Sequence, residues 1–196
     1  MDYVDKSNQY IDEVLSGEVP ACELTRLACL RQKTDLEKGV DGFRFDRNFG
    51  NKICKFLELL PITKGGQGNI IVLPWACFIF TTIFGWVNES NHRRYRTALI
   101  YVPKKNAKST FGAGVGLFGL VADGEKGAEI YSAATKKEQA SIVWDIATAM
   151  VNQTPKLKQH FGITTGKPNI FQESTGSKFR ALSREKDGSN DGYDVH

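Results

Sequence analysis

The chain has 196 residues, 41% of them hydrophobic and 24% charged, with a formal net charge of +4. That balance excludes intrinsic disorder and the fibrous classes, and the length suits one sizeable domain or a core with an appendage. Charge is unevenly spread: residues 1–90 hold 10 Lys/Arg against 12 Asp/Glu, whereas residues 91–196 hold 16 against 10, so the second half better suits a polyanion.

The acidic start, Met1-Asp2-Tyr3-Val4-Asp5, has no apolar core and is not read as a secretory signal. Residues 7 to 17 predict a short amphipathic helix, capped by Ser7 or Asn8, packing Ile11, Val14 and Leu15, and stopped by Gly17. A second helix is expected from Pro20 to about Gly39, with Leu24, Leu27, Ala28 and Leu30 as packing residues. Asp41 to Arg47 reads as a polar turn holding Phe43 and Phe45. The three-and-four spacing of Phe49, Ile53, Phe56, Leu57 and Leu60 predicts a third helix, ended by Pro61. Gly65-Gly66-Gln67-Gly68 reads as a flexible connector, so residues 1–64 are expected to form a helical N-terminal region and residues 65–196 a core.

No charge occurs between Lys64 and Glu89. Pro74 splits this run into a strand-like piece, Asn69 to Leu73, and a helix-like piece, Trp75 to Val87. The second reaches only about 20 Å against a hydrocarbon core of roughly 30 Å, so a buried helix is expected and no membrane partner. Cys22, Cys29, Cys54 and Cys77 form no C-x-x-C pair, and His92, His160 and His196 lack ligand spacing. Reduced, buried thiols in a cytosolic protein fit better than a structural zinc.

After the loop Asn88 to Asn91, the cluster His92-Arg93-Arg94-Tyr95-Arg96 either contacts nucleic-acid phosphates or is a solvated lead-in to the next strand. That strand, Thr97 to Val102, stops at Pro103 and delivers Lys108-Ser109-Thr110 to a helix over Ser109 to Val121. Val102 to Ser109 aligns with G-x-x-x-x-G-K-[ST], with both glycines replaced, by Val102 and Ala107. In such a loop, Asn106 to Ser109 would turn backbone N–H groups toward an anion, Lys108 would reach the β- and γ-phosphates, and Ser109 would complete a Mg²⁺ shell. Gly112, Gly116 and Gly119 share one face of the helix, consistent with close approach to a sheet. A strand over Ala128 to Ala133, a capping-box pattern Thr135-Lys136-Lys137-Glu138 and a helix to about Val151 follow. This strand-helix-strand-helix order predicts an α/β fold with a parallel sheet and flanking helices, as in P-loop NTPases. Pro155 to Phe161 reads as a helical turn, Asn169 to Glu173 and Ser177 to Ser183 as a hairpin, and Arg184 to His196 as a polar tail. No apolar strand ending in Asp-Glu follows the loop, and Glu138, Asp145 and Glu173 read as solvated charges.

Several further segments fall in an ordered series. They are Tyr10 to Glu18, Leu27-Ala28-Cys29, Asp35-Leu36-Glu37, Leu73-Pro74-Trp75 with Phe84-Gly85-Trp86, Val102 to Thr110, Tyr131 to Thr135 with Gln139-Ala140, and Asp191-Gly192. In this order and spacing the chain resembles the N-terminal part of a phage terminase large subunit, the motor that packages viral DNA. The resemblance implies an ATPase with ATP and Mg²⁺ as cofactors. It assigns the cradle to Lys105, Asn106, Ala107, Lys108, Ser109 and Thr110, the adenine side to Trp75, the metal to Ser109, and catalytic roles to Lys108 and Lys104. Implied partners are double-stranded DNA, the terminase small subunit, the capsid portal and further copies in a ring, and the implied location is the host cytoplasm. Three positions depart from the family pattern: Ala76 stands for an adenine-reading glutamine, Lys104 for an arginine at the γ-phosphate, and Ala107 for glycine. The chain is expected to stop before the Walker B strand and to be inactive in hydrolysis alone. The alternative is a non-catalytic assembly or DNA-binding module with a vestigial P-loop.

Overall fold

In the computed structural model, residues 2–135, 137–167 and 169–183 are described. Lys136 of the expected capping box and the tail Arg184 to His196, with Asp191-Gly192, lie outside the described residues. Contacts gather the chain into two compact units: Met1–Leu59 with Asn69–Pro103, and Leu60–Gly68 with the residues from Lys104 onward.

The first unit contains α1 (Tyr3–Ser16), α2 (Glu23–Lys38), β1 (Arg44–Phe45), α3 (Arg47–Glu58), α4 (Pro74–Gly85) and β2 (Trp86–Val87). Helix α1 starts four residues before the expected 7 because Asp2, not Ser7 or Asn8, caps it. The Asp2 carboxylate accepts the Asp5 N–H at 2.9 Å and the Asp5 carboxylate accepts the Asp2 N–H at 3.3 Å. Gly17, at φ 88°, ends the helix as expected. Asn51 of α3 locks the same end, its Oδ1 accepting the Tyr3 N–H at 3.0 Å and the Val4 N–H at 3.2 Å. Helix α4 packs on α1 and α3, burying Ala76, Cys77, Phe78 and Phe80. Proline suits its first turn, where no N–H partner is needed. It has 12 residues, and among the described residues no helix is long and apolar enough to cross a membrane. Phe45 lies on β1, which pairs antiparallel with β2, so the expected polar turn holds a short strand.

Helix α2 begins at Glu23, with Cys22 rather than Pro20 before it, and it buries Cys29 and Gln32. The Trp86 indole donates to Gln32 Oε1 at 2.9 Å, satisfying both buried polar groups. Leu24, Leu27 and Leu30, read from the sequence as packing residues, are exposed instead. Asn69 to Leu73 forms no ladder; Ile70 and Val72 point inward while Ile71 and Leu73 face solvent.

Partial burial pushes the Asp2 carboxyl up, but the Asp5 amide, Arg47 and Asn51 outweigh it and hold the group at about 2. A depressed carboxylate contributes stability above its unfolded value near 3.8 that is lost as pH falls toward 2. Acid titration followed by helical circular dichroism should show a loss in that window, and Asp2→Asn should remove this component.

The second unit contains α5 (Lys108–Val121), β3 (Glu129–Ala134), α6 (Lys137–Gln153), α7 (Pro155–Phe161), β4 (Ile163–Gly166), β5 (Asn169–Gln172) and β6 (Ser177–Ser183). Its four strands run in the order β3-β6-β5-β4. β3 and β6 are parallel, with Glu129 beside Lys178 and Ala134 beside Ser183, whereas the β5–β6 hairpin and the β4–β5 pair are antiparallel. The sheet is therefore mixed, and β4 is a strand that the sequence pattern did not signal. Helices α5 and α6 pack together on it. Gly116 lets α5 approach the sheet: a Cβ there would lie 2.7 Å from the Phe179 ring, while Gly112 and Gly119 face Val143 and Ile130 at 3.7 and 3.5 Å. The Trp144 indole of α6 donates to the Phe179 carbonyl at 3.2 Å, joining helix to sheet.

The expected strand Thr97 to Val102 is not formed; the segment is irregular. A strand gains its hydrogen bonds only from a neighbour, and no described strand pairs with this run. Leu99 and Tyr101 are accordingly 93% and 95% exposed.

Candidate phosphate-binding site

The loop that follows is built by backbone geometry. Lys105 and Ala107 both take positive φ, 69° and 52°, a conformation that costs an L-residue about 1–2 kcal/mol. Between them the Asn106 side chain donates to the Lys104 carbonyl at 3.4 Å. Ala107 is the N-cap of α5, its carbonyl accepting the Phe111 N–H at 2.9 Å. No side chain caps this helix and its first turn carries no acid. Thus Lys108, Ser109 and Thr110 present helix N-terminal amides at the positive end of the dipole, a setting that favours an anion. Lys104, Lys105, Asn106, Ala107 and Lys108 are exposed, and Ser109 and Thr110 are half-buried.

A helix start without a side-chain cap, a cradle bent through the left-handed region and three lysines fit the phosphates of a nucleotide; the Ser109 hydroxyl fits a hard cation held with them. The fit carries strain at Ala107, where glycine would be at ease. Ala107→Gly should raise the melting temperature of this unit by a few degrees, reflecting about 1 kcal/mol, as read by differential scanning calorimetry.

The structure brings Lys104 to Thr110 together as one contiguous loop and first helical turn. Trp75 lies in the first turn of α4, half-buried, in the other compact unit. Beside it Ala76 is fully buried, its methyl filling core space. Glu138, Asp145 and Glu173 are exposed, in line with their reading as solvated charges.

The basic cluster before the loop is largely occupied within its own unit. Arg94 makes an ion pair with Asp35 of α2 at 2.6 Å, with both side chains mostly buried, and its guanidinium lies 5.4 Å from the Trp86 ring and 5.0 Å from the Tyr95 ring. Arg93 lies over Phe84 at 5.1 Å and pairs by backbone with Val87. Arg96 and His92 are exposed. The Arg94–Asp35 pair was not legible in the sequence because its partners are separated by 58 intervening residues.

Residues 74–195 match the family described as "Terminase large subunit, ATPase domain". The chain is 29% identical over 137 residues to the large terminase subunit of Enterobacteria phage HK97, spanning 69% of this chain and 27% of that protein. The crystal structure of the HK97 large terminase superposes with a TM-score of 0.59 at 26% identity, covering 75% of this chain and 28% of the other. This chain therefore spans about a quarter of the length of the relative it matches. With the matched stretch running through the lysine-bearing loop, α5, the mixed sheet and beyond, the chain belongs to the terminase large subunit ATPase domain family.

Proposed function

We propose that this chain is the nucleotide-binding part of an ATP-driven DNA-packaging motor of a tailed phage or prophage. The observation that carries the reading is the uncapped start of α5 behind a left-handed Ala107, with Lys108-Ser109-Thr110 in its first turn and inside the family match. When bound, Mg-ATP supplies the phosphoryl group whose transfer drives such a motor. The Lys108 ammonium holds the β- and γ-phosphate oxygens, and Lys104 holds the γ-phosphate as a point charge where the family pattern has an arginine fork. The backbone amides from Asn106 to Thr110 receive the remaining oxygens. Ser109 holds the metal, and the resemblance alone assigns the adenine side to Trp75.

By resemblance, the partners are double-stranded DNA, the small terminase subunit, the portal and further copies in a ring, and the setting is the host cytoplasm. These 196 residues bind nucleotide and do not hydrolyse it alone. In support, none of the described strands of this unit ends in an Asp-Glu pair, β3, β4, β5 and β6 ending at Ala134, Gly166, Gln172 and Ser183.

Titration of the chain with a fluorescent ATP analogue in Mg²⁺ tests the reading. Saturable, submillimolar binding displaced by ATP, with no phosphate released, is expected. No binding at millimolar Mg-ATP would favour an assembly or DNA-binding module with a vestigial loop.

A further inference from the structure

Helix α2 turns its apolar residues outward. Leu24 is 78%, Leu27 52% and Leu30 51% exposed, whereas the inward face buries only Cys29 and Gln32. At 3.6 residues per turn the three leucines fall within about 120° of arc. Glu23 and Arg31, both exposed, lie on the same arc.

We propose that this face is an interface for a second copy of the chain, with the two α2 helices antiparallel about a two-fold axis. A two-fold contact uses one patch twice, so the patch must complement itself. With Leu27 set against its own copy, Leu24 falls opposite Leu30 at both ends, and Glu23 falls opposite Arg31. Apolar then meets apolar and each terminal acid meets a base. A parallel arrangement would instead stack Glu23 on Glu23 and Arg31 on Arg31, which like-charge repulsion disfavours. The Arg31 guanidinium lies 5.4 Å from the centroid of the Tyr95 ring within its own unit. Three leucines cover less than the roughly 800 Å² per partner of a standard stable interface. The dimer is therefore weak and reversible. It involves neither the phosphate loop nor the nucleotide, so the two readings stand or fall separately.

Sedimentation velocity of the 196-residue chain, from low micromolar to near-millimolar, tests this. A reversible monomer–dimer equilibrium is expected. Leu27→Glu, at an exposed position, should leave the thermal melt unchanged and the chain monomeric throughout. Glu23→Arg should weaken the dimer about tenfold, since both symmetric pairs become repulsive, and adding Arg31→Glu should restore it. A chain that stays monomeric, or a dimer that survives Leu27→Glu, would overturn the proposal. So would a dimer abolished by Leu99→Lys with Tyr101→Lys but not by Leu27→Glu, which would move the contact to the exposed run before the phosphate loop. Failure of the double swap to restore association would overturn the antiparallel pairing.

Discussion

Gly116→Val should unfold the second unit or lower its stability by about 3 kcal/mol or more. At this point α5 rides directly on the Phe179 ring, and the first added carbon would lie 2.7 Å from one ring carbon and 2.8 Å from the next. Phe179 is 1% exposed, and its carbonyl is held by the Trp144 indole, so the ring has little room to retreat. Overpacking of this kind costs typically 1–3 kcal/mol per site and rises with each further carbon, while replacing a helical glycine returns at most about 1 kcal/mol of propensity. The steric cost wins. The neighbouring glycines reverse the balance: at Gly112 and Gly119 an added carbon makes ordinary contacts at 3.7 and 3.5 Å. Gly112→Ala and Gly119→Ala should each stabilise the unit by up to about 1 kcal/mol. Urea denaturation of the three variants measures all of these differences. Equal destabilisation by all three would contradict the observed packing of α5 on the sheet.

Lys108→Ala should weaken binding of the fluorescent ATP analogue by about 10- to 100-fold. A charge-assisted hydrogen bond to phosphate contributes roughly 1.5–3 kcal/mol, and Lys108 belongs to the first turn of α5, where the proposed phosphates would bind. Lys108 is exposed, so the fold should be retained, with the thermal melt shifted little. Lys104→Ala, further out on the loop, should cost less in binding. Full retention of affinity in Lys108→Ala would remove the loop from the nucleotide site.

The helices were legible because their signals are local. Gly17, Pro74 and the three-and-four spacing of Ile53, Phe56, Leu57 and Leu60 mark caps and buried stripes within a few residues of chain. The glycine face of α5 was legible for the same reason, since Gly112, Gly116 and Gly119 share it by spacing alone. What failed depended on distant partners. Thr97 to Val102 has the composition of a strand, yet composition cannot supply the neighbouring strand that makes one. The leucines of α2 follow a core-like spacing, but Gln32 rather than a leucine is buried, because the Trp86 indole 54 positions away requires an acceptor. Likewise Arg94 is spent on Asp35, which no reading of a basic cluster by itself could reveal. The candidate site was readable as a motif. Its strain was readable only in part, since Ala107 was recognisable as a substituted glycine whereas the positive φ of Lys105 had no sequence signal.

The first turn of α5 is where a nucleotide's phosphates are expected to bind. Amide-resolved NMR of the chain titrated with Mg-ATP tests this directly. The largest chemical-shift changes are expected at the backbone amides from Asn106 to Thr110, and tripolyphosphate should reproduce them while adenosine should not. Shifts confined to other regions, or none at millimolar Mg-ATP, would contradict the account.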